Sequence, residues 1–336
     1  MTQNSEDMVR LGWKKANLAP LWESPTAHKP QPLPDPPLHW SWNMLRPLLE
    51  QAMRLTSPNV VERRVLSLVT PHPRTQEDEA TVRTLSAAIQ MLLPKERARP
   101  HRHTMNALRF VLEGRGATTL VDGKTCPMEQ GDLILTPAWT WHEHVHEGND
   151  PIIWLDVLDV PLHLWLGAVE FQPGPINDQP FTLADEAFAS PNLIPVIDGY
   201  PRPHSPVFRY PYAEAVKAVA SAPMAVDGSR RIRYANPLNG QSAMCLLDAT
   251  LLQIDAGRQT ACFKTNSNAV CCVVEGEGET SVGSTTVKWR AKDIFSLPQN
   301  NVVQHLAMSS HARLLVVSDR DAFQRLGLLK EQIINR

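Results

Sequence analysis

Two short runs hold the residues best suited to chemistry: Pro100-His101-Arg102-His103, and His142-Glu143-His144 beginning 39 residues after His103. Histidines at i and i+2 project from the same face of a β-strand. A further imidazole, His142, arrives late in a later strand, after the turn Glu129-Gln130-Gly131-Asp132 and the run Leu133-Ile134-Leu135-Thr136-Pro137. His101, His103 and His142 therefore predict a three-histidine metal site inside an all-β fold. Three neutral nitrogens on one side of a metal leave the opposite positions open to other ligands.

Other polar residues fall where they would face that site. Arg109 interrupts the apolar strand Ala107-Leu108-Arg109-Phe110-Val111-Leu112, six residues past His103. The even separation keeps it on the ligand-bearing face if the strand is regular. A guanidinium there suits a carboxylate or an oxyanion, and its plainer alternative is a cross-strand ion pair. His144 shares the face of His142 and can donate or accept a proton near neutrality, or serve as a structural hydrogen-bonding group. His146 continues the alternation further out and is expected at or near the surface with no role. Gln90 breaks the apolar run Ala87 to Leu93, and a buried strand-centre amide needs a partner. Asp156 is a charge within Ile153-Trp154-Leu155-Asp156-Val157, and Trp154 on the same face either walls a pocket or fills a core.

The elements that must position these residues are legible in outline. Short apolar runs, Val65 to Val69, Leu85 to Leu93, Ala107 to Leu112, Ala117 to Val121, Leu133 to Leu135 and Ile152 to Leu158, alternate with Gly, Pro and Asp turns. Such a pattern predicts an antiparallel sandwich or barrel. The chain then repeats itself. Phe110-Val111-Leu112-Glu113-Gly114-Arg115-Gly116 matches Cys272-Val273-Val274-Glu275-Gly276-Glu277-Gly278, and Gly131-Asp132-Leu133-Ile134-Leu135-Thr136-Pro137 matches Lys292-Asp293-Ile294-Phe295-Ser296-Leu297-Pro298. The offset of 161–162 residues across both blocks indicates one duplicated β-domain. In the second copy Phe263 and Thr265 stand where His101 and His103 would be, and His305 falls near the place of His142 after a two-residue slip. The second copy is therefore expected to be structural.

The expected division is residues 1–62 as an N-terminal arm and helix, 63–170 as a metal-binding domain, 171–235 as a linker with a short helix, and 236–336 as the degenerate copy with a terminal helix. Seven of the 29 prolines lie between Pro20 and Pro37, so residues 1–40 read as an extended arm whose Trp13, Trp22, Trp40 and Trp42 pack on its own domain or a neighbouring subunit. Asn43 to Leu55 reads as a helix stopped by Ser57-Pro58, and Asp321 to Lys330 as a short amphipathic helix.

Bulk properties narrow the class. Hydrophobic content of 43% supports real cores, and a formal net charge of -2 gives no reason to expect nucleic acid or an anionic membrane. No apolar run approaches the ~20 residues that span a bilayer, and the polar N-terminus shows no signal peptide. Five cysteines without CxxC spacing read as reduced thiols in a cytoplasmic protein.

His-x-His, then Glu-Gly-x-Gly, then Gly-Asp and a late Trp-x-Trp-His resemble a cupin. The fuller runs Pro100-His101-Arg102-His103-Thr104 and Thr136-Pro137-Ala138-Trp139-Thr140-Trp141-His142-Glu143-His144 resemble the bicupin gentisate 1,2-dioxygenases and their relatives acting on salicylate and 1-hydroxy-2-naphthoate. The likeness covers most of residues 11–330, including Leu18-Ala19-Pro20-Leu21-Trp22-Glu23. It implies two jelly-roll barrels with a few short helices, and one ferrous ion per subunit held by His101, His103 and His142 in the first barrel. It further implies an aromatic-acid substrate chelated beside dioxygen, ring opening of gentisate to maleylpyruvate, and a homotetramer. Gln90 would then orient substrate, Arg109 and either Arg63 or Arg64, with Arg64 the one expected, would meet its carboxylate, and Asp156 would face the 5-hydroxyl. Two features depart from the pattern. Ala107 stands where many cupins place a glutamate ligand, which favours the three-histidine ferrous group, and the loop Pro71 to Glu79 is more polar than is usual in these enzymes. Rival readings are a salicylate or 1-hydroxy-2-naphthoate 1,2-dioxygenase, a non-enzymatic cupin binding an aromatic acid, which needs no complete ligand triad, and a cupin isomerase or decarboxylase, which takes up no dioxygen.

Overall fold

The computed structural model describes residues 3–24, 33–56, 61, 63–71, 80–176, 182–190, 193–200 and 202–334. The polar loop 72–79 and the helix stop at Ser57-Pro58 lie outside them. Residues 1–34 and 35–336 form two compact units. The first is not the extended arm expected: α1 spans Gln3–Lys15. That stretch precedes the first proline, carries Glu6 in its first turn and Lys14 and Lys15 in its last, and so satisfies both ends of the helix dipole. Within this unit Arg10 pairs with Glu23 at 2.7 Å, and Trp13 meets Trp22 edge-on at 6.0 Å.

The second unit contains both repeats. The first repeat runs β1 (His39–Trp40), α2 (Trp42–Leu55), β2 (Val65–Ser67), β3 (Ser86–Leu92), β4 (Arg97–His103) and β5 (Ala107–Glu113). It continues with β6 (Arg115–Val121), β7 (Lys124–Glu129), β8 (Leu133–Thr136), β9 (His142–His146), β10 (Ile152–Leu158), α3 (Val160–Leu166) and β11 (Phe171–Pro173). The second repeat begins with β12 (Arg209–Tyr210), α4 (Tyr212–Ser221), β13 (Arg230–Arg233), β14 (Asp248–Asp255), β15 (Cys262–Thr265) and β16 (Ala269–Glu275). It ends with β17 (Glu277–Val282), β18 (Thr285–Arg290), β19 (Ile294–Leu297), β20 (Val302–Ala307), β21 (His311–Ser318), α5 (Arg320–Arg325) and β22 (Glu331–Ile334). Repeat two thus reaches back into the stretch read as linker. The terminal helix is shorter than expected: it stops before Gly327, whose φ of +68° turns the chain back into β22. No helix among the described residues is long and apolar enough to cross a membrane.

Each repeat folds its strands into two facing sheets. In the first, β12-β8-β5-β10-β3-β2 faces β11-β4-β9-β6-β7, and in the second β1-β19-β16-β21-β14-β13 faces β18-β17-β20-β15-β22. The short first strand of each repeat is exchanged: β1 pairs with β19 of repeat two, and β12 with β8 of repeat one. The aspartates of the repeated turns receive the exchanged segments. Asp293 accepts hydrogen bonds from the Trp42 backbone N–H and His39, and Asp132 from the Tyr212 N–H and Arg209. Gly131, at φ +88°, must be glycine because a Cβ would meet the Tyr212 ring at 2.4 Å.

Strand alternation decides which core each side chain joins. Ala249, Leu251, Val270, Cys272, Leu315 and Val317 pack with Ile89, Leu108, Phe110 and Leu155 in a core shared by the two repeats. Their neighbours Leu252, Ile254, Cys271, Val273 and Leu314 instead line the second barrel's own core. This double burial is why β5, β8 and β10 read as unbroken apolar runs with single polar interruptions.

Candidate metal centre

The period-2 pleat of β4 turns His101 and His103 inward and Arg102 outward, where its guanidinium lies between Trp139 and Trp141 at 4.7 and 4.6 Å from their ring centroids. On β9, His142 lies directly opposite His101, beside an irregularity in the β4–β9 register between Ala98 and His101. The ligand atoms of His101, His103 and His142 all lie within 4.8 Å of one another, and all three residues are buried. Each ring is held from behind. Nδ1 of His101 donates to the Arg99 carbonyl at 2.9 Å, His103 to Met105 at 2.8 Å and His142 to Thr140 at 3.0 Å. Those bonds fix the tautomer in which each Nε2 carries an accepting lone pair. Burial, reinforced by the nearby Arg63 charge, lowers His101 to about 3 and His103 to about 4. Burial also drives His142 well below its usual value. Three neutral, convergent imidazoles fit a divalent transition metal.

A set of polar side chains with incompletely satisfied buried atoms surrounds this group. Among the described residues, seven of eleven buried side-chain polar atoms lacking a hydrogen bond belong to Gln90, Arg109, His142, His144 and Asp156. Gln90 is 1% exposed and neither end of its amide is satisfied. Such atoms are costly unless a bound molecule completes them. Arg109 and Asp156 sit opposite one another on β5 and β10, with Nε 2.9 Å from Oδ1, and the Trp154 indole donates to the other Asp156 oxygen at 2.8 Å. Burial raises Asp156 from the usual carboxylate range, against the opposing pull of Arg109 and the indole. Nδ1 of His144 contacts the Thr119 hydroxyl at 2.9 Å and its Nε2 has no partner, while its ring lies 5.4 Å from Trp154. A hydroxyl partner, unlike a carbonyl, allows His144 either tautomer.

The structure separates the two candidate arginines and corrects the choice of Arg64. Arg64 pairs with Glu96 and donates to the Met53 carbonyl, away from the histidines, whereas Arg63 donates to His101 Nε2. His146 is also corrected: it is fully buried, bonded through Nε2 to the Asp150 carbonyl at 2.7 Å. His305 occupies the place of His144, not of His142. Thr119 lies opposite His144 and Thr280 opposite His305, with matching hydroxyl–Nδ1 contacts of 2.9 and 2.8 Å.

The sequence did not point to the scaffold around His103. Asp159, at the N-terminus of α3, accepts from the Asn106 N–H and amide at 2.9 and 2.8 Å, while Asn106 accepts from the Ala138 N–H at 3.1 Å. These bonds hold the β4–β5 loop that includes Met105. Asn268, Asp319 and Gln299 repeat the arrangement in the second barrel. The only sequence trace is that all three pairs fall 160–162 residues apart. Phe171 of β11 stacks on His101 at 5.5 Å, another contact that spacing does not reveal.

Comparison with known proteins gives the setting. A cupin domain profile matches residues 88–158. The chain is 35% identical to gentisate 1,2 dioxygenase 1 of Aquipseudomonas alcaligenes, covering 94% of this chain and 92% of that one. It is 34% identical to the 5-aminosalicylate 1,2-dioxygenase of Comamonas sp, covering 97% and 88%. Among solved structures it is similar to the gentisate adduct of salicylate 1,2-dioxygenase from Pseudoaminobacter salicylatoxidans. That match has a TM-score of 0.87 and 26% identity, and covers 100% of this chain and 96% of that one.

Proposed function

Because the chain belongs to the gentisate 1,2-dioxygenase family of ring-cleaving cupin dioxygenases, we propose that it opens gentisate between its carboxyl- and hydroxyl-bearing carbons, both atoms of dioxygen entering the product maleylpyruvate. The observation that carries this reading is the buried Gln90 amide, Arg109 Nη1 and His144 Nε2, none of them hydrogen-bonded, set with the Arg109–Asp156 pair beside three inward imidazoles. A small acid bearing several oxygens would satisfy them together.

Ferrous iron on His101, His103 and His142 would supply open positions for the acid and for dioxygen, and electron relay between them. The protein's own groups do the rest. Arg63 and Arg109 would neutralise the carboxylate, with Arg109 held in place by Asp156. Gln90 would orient the ring, and Trp154 would wall it. The 5-hydroxyl would find Asp156, whose raised affinity for protons equips it to share that proton. His144 would hold or pass a proton through Nε2, its other nitrogen resting on Thr119. The surrounding core excludes water, which strengthens each of these interactions.

We further read the protein as a cytoplasmic homotetramer. Trp165, 83% exposed on α3 beside exposed Leu164 and Leu166, supports association of copies. The test of function is oxygen uptake by anaerobically purified, ferrous-loaded protein given gentisate, 5-aminosalicylate, salicylate or 1-hydroxy-2-naphthoate in parallel. Uptake greatest with gentisate, one dioxygen per ring opened, is expected. Uptake confined to the monohydroxylated acids would move the substrate, and uptake with none of them would refute the reading.

A further inference from the structure

Strand register lets the two barrel interiors be compared residue by residue. Asp156 lies opposite Arg109 in the first, and Val316 opposite Cys271 in the second. His101 lies opposite His142 in the first, and Phe263 opposite Val303 in the second. Gln90 is matched by Leu252 on the corresponding strand. At these positions the second barrel has exchanged polar side chains for apolar ones, and it retains His305 in the place of His144.

Apolar replacement ought to close the interior, because small barrels are filled by their own side chains. It has not. A cavity of about 510 Å³ remains, bounded by Leu252, Phe263, Val303, Val316, His305 and Arg233. That volume falls within the usual range for small-molecule sites. Its depth suits an apolar body, since burial holds His305 at about 4 and so keeps its imidazole neutral.

Charge gathers at one part of the lining. Arg320 is held by Glu331 at 2.8 Å and Gln324 at 2.9 Å, and Arg231 by Asp227 at 3.2 Å. Arg233 differs. Its Nε lies 3.0 Å from the buried carboxylate of Asp248, and its two η-nitrogens make no hydrogen bond with any described residue. A guanidinium oriented through Nε presents a planar pair of donors, the shape that a carboxylate accepts.

We propose that the second barrel is a separate binding site for a small monocarboxylate with an apolar body, its carboxylate on Arg233 and its body against Leu252, Phe263, Val303 and Val316. The site lies outside the three-histidine centre and does not depend on the substrate assigned to that centre.

The test is calorimetric titration of the whole, ferrous-loaded protein with 2-naphthoate under anaerobic conditions, compared with Val303→Trp and Arg233→Gln. Wild type should bind one equivalent per chain more than Val303→Trp, whose indole obstructs the cavity opposite Phe263 but leaves oxygen uptake in place. Arg233→Gln, at the accessible mouth, should weaken that one equivalent by about tenfold. Equal stoichiometry in wild type and a folded Val303→Trp would overturn the proposal. So would unchanged affinity in Arg233→Gln, which decides the matter alone if Val303→Trp does not fold. Because heat is read and not turnover, failure of the gentisate assignment would leave this result intact.

Discussion

Adjacent arginines with opposite fates set the first test at the scale of single residues. Arg63 reaches His101, whereas Arg64 is buried against Glu96 and the end of α2. Arg63→Gln should raise KM for an aromatic acid roughly 10- to 100-fold with little change in melting temperature. Arg64→Gln should leave KM alone and cost about 3 kcal/mol of stability, because Glu96 loses its partner. Steady-state kinetics and thermal melts of both variants check this, and the reverse pattern would exchange the roles. His142→Ala should lose metal and oxygen uptake together, as read by metal analysis and an oxygen electrode. His144→Ala should keep its metal and lose roughly 10²- to 10⁴-fold in turnover. The three histidines were legible because a strand's period of two makes His-x-His a statement about direction. Arg63 and Arg64 were not, since they precede β2 and no strand period there says which one turns inward. His146 was misjudged because its burial comes from the fold of the turn after it, where its ring contacts Gly148.

Elements matter through what they hold still. Asp159 fixes Asn106, and so the loop whose Met105 carbonyl orients His103. Asp159→Ala should lower metal affinity by roughly 10- to 100-fold, as supporting-residue losses do in metal sites. Its counterpart Asp319→Ala should destabilise the fold without changing metal affinity, and competitive chelator titration separates the two. The second barrel also carries a pH signature in β20. Burial holds folded His305 at about 4, against the usual 6.5, so the unfolded chain binds that proton more tightly. Stability should therefore fall as pH drops from 6.5 to 4, and the loss should level below pH 4 at about 3 kcal/mol. His305→Gln should remove that part of the slope in denaturant titrations taken at several pH values, and an unchanged slope would refute it. Most strands were legible from their apolar runs and turn residues. α1 was missed because the prolines that follow it drew the whole N-terminal stretch into one reading, although Gln3–Lys15 contains none.

At the scale of the molecule, the two repeats share one core and exchange their first strands. A core that crosses both barrels predicts a single unfolding transition. Calorimetry should give equal calorimetric and van't Hoff enthalpies for residues 35–336, and two separated transitions would contradict the shared core. The duplication was plain in the sequence because its turn residues recur at a fixed offset. The exchange was not, because β1 and β12 are two residues each and no periodicity can be read from so little. Asp132 and Asp293, which stood out only as matched turn residues, prove to be the points where each repeat receives the other.

The pairing of His39 with Phe295 has a consequence for how the chain is made. These partners are 256 positions apart, so at ribosomal rates of about 5–20 residues per second β1 waits roughly 13–50 s for β19 to be translated. From the completion of its own strands until then, the first barrel carries the bare apolar face destined for the second. The nascent polypeptide is therefore a client for holding chaperones until its last quarter emerges, and slowing translation late in the message should lower the soluble yield.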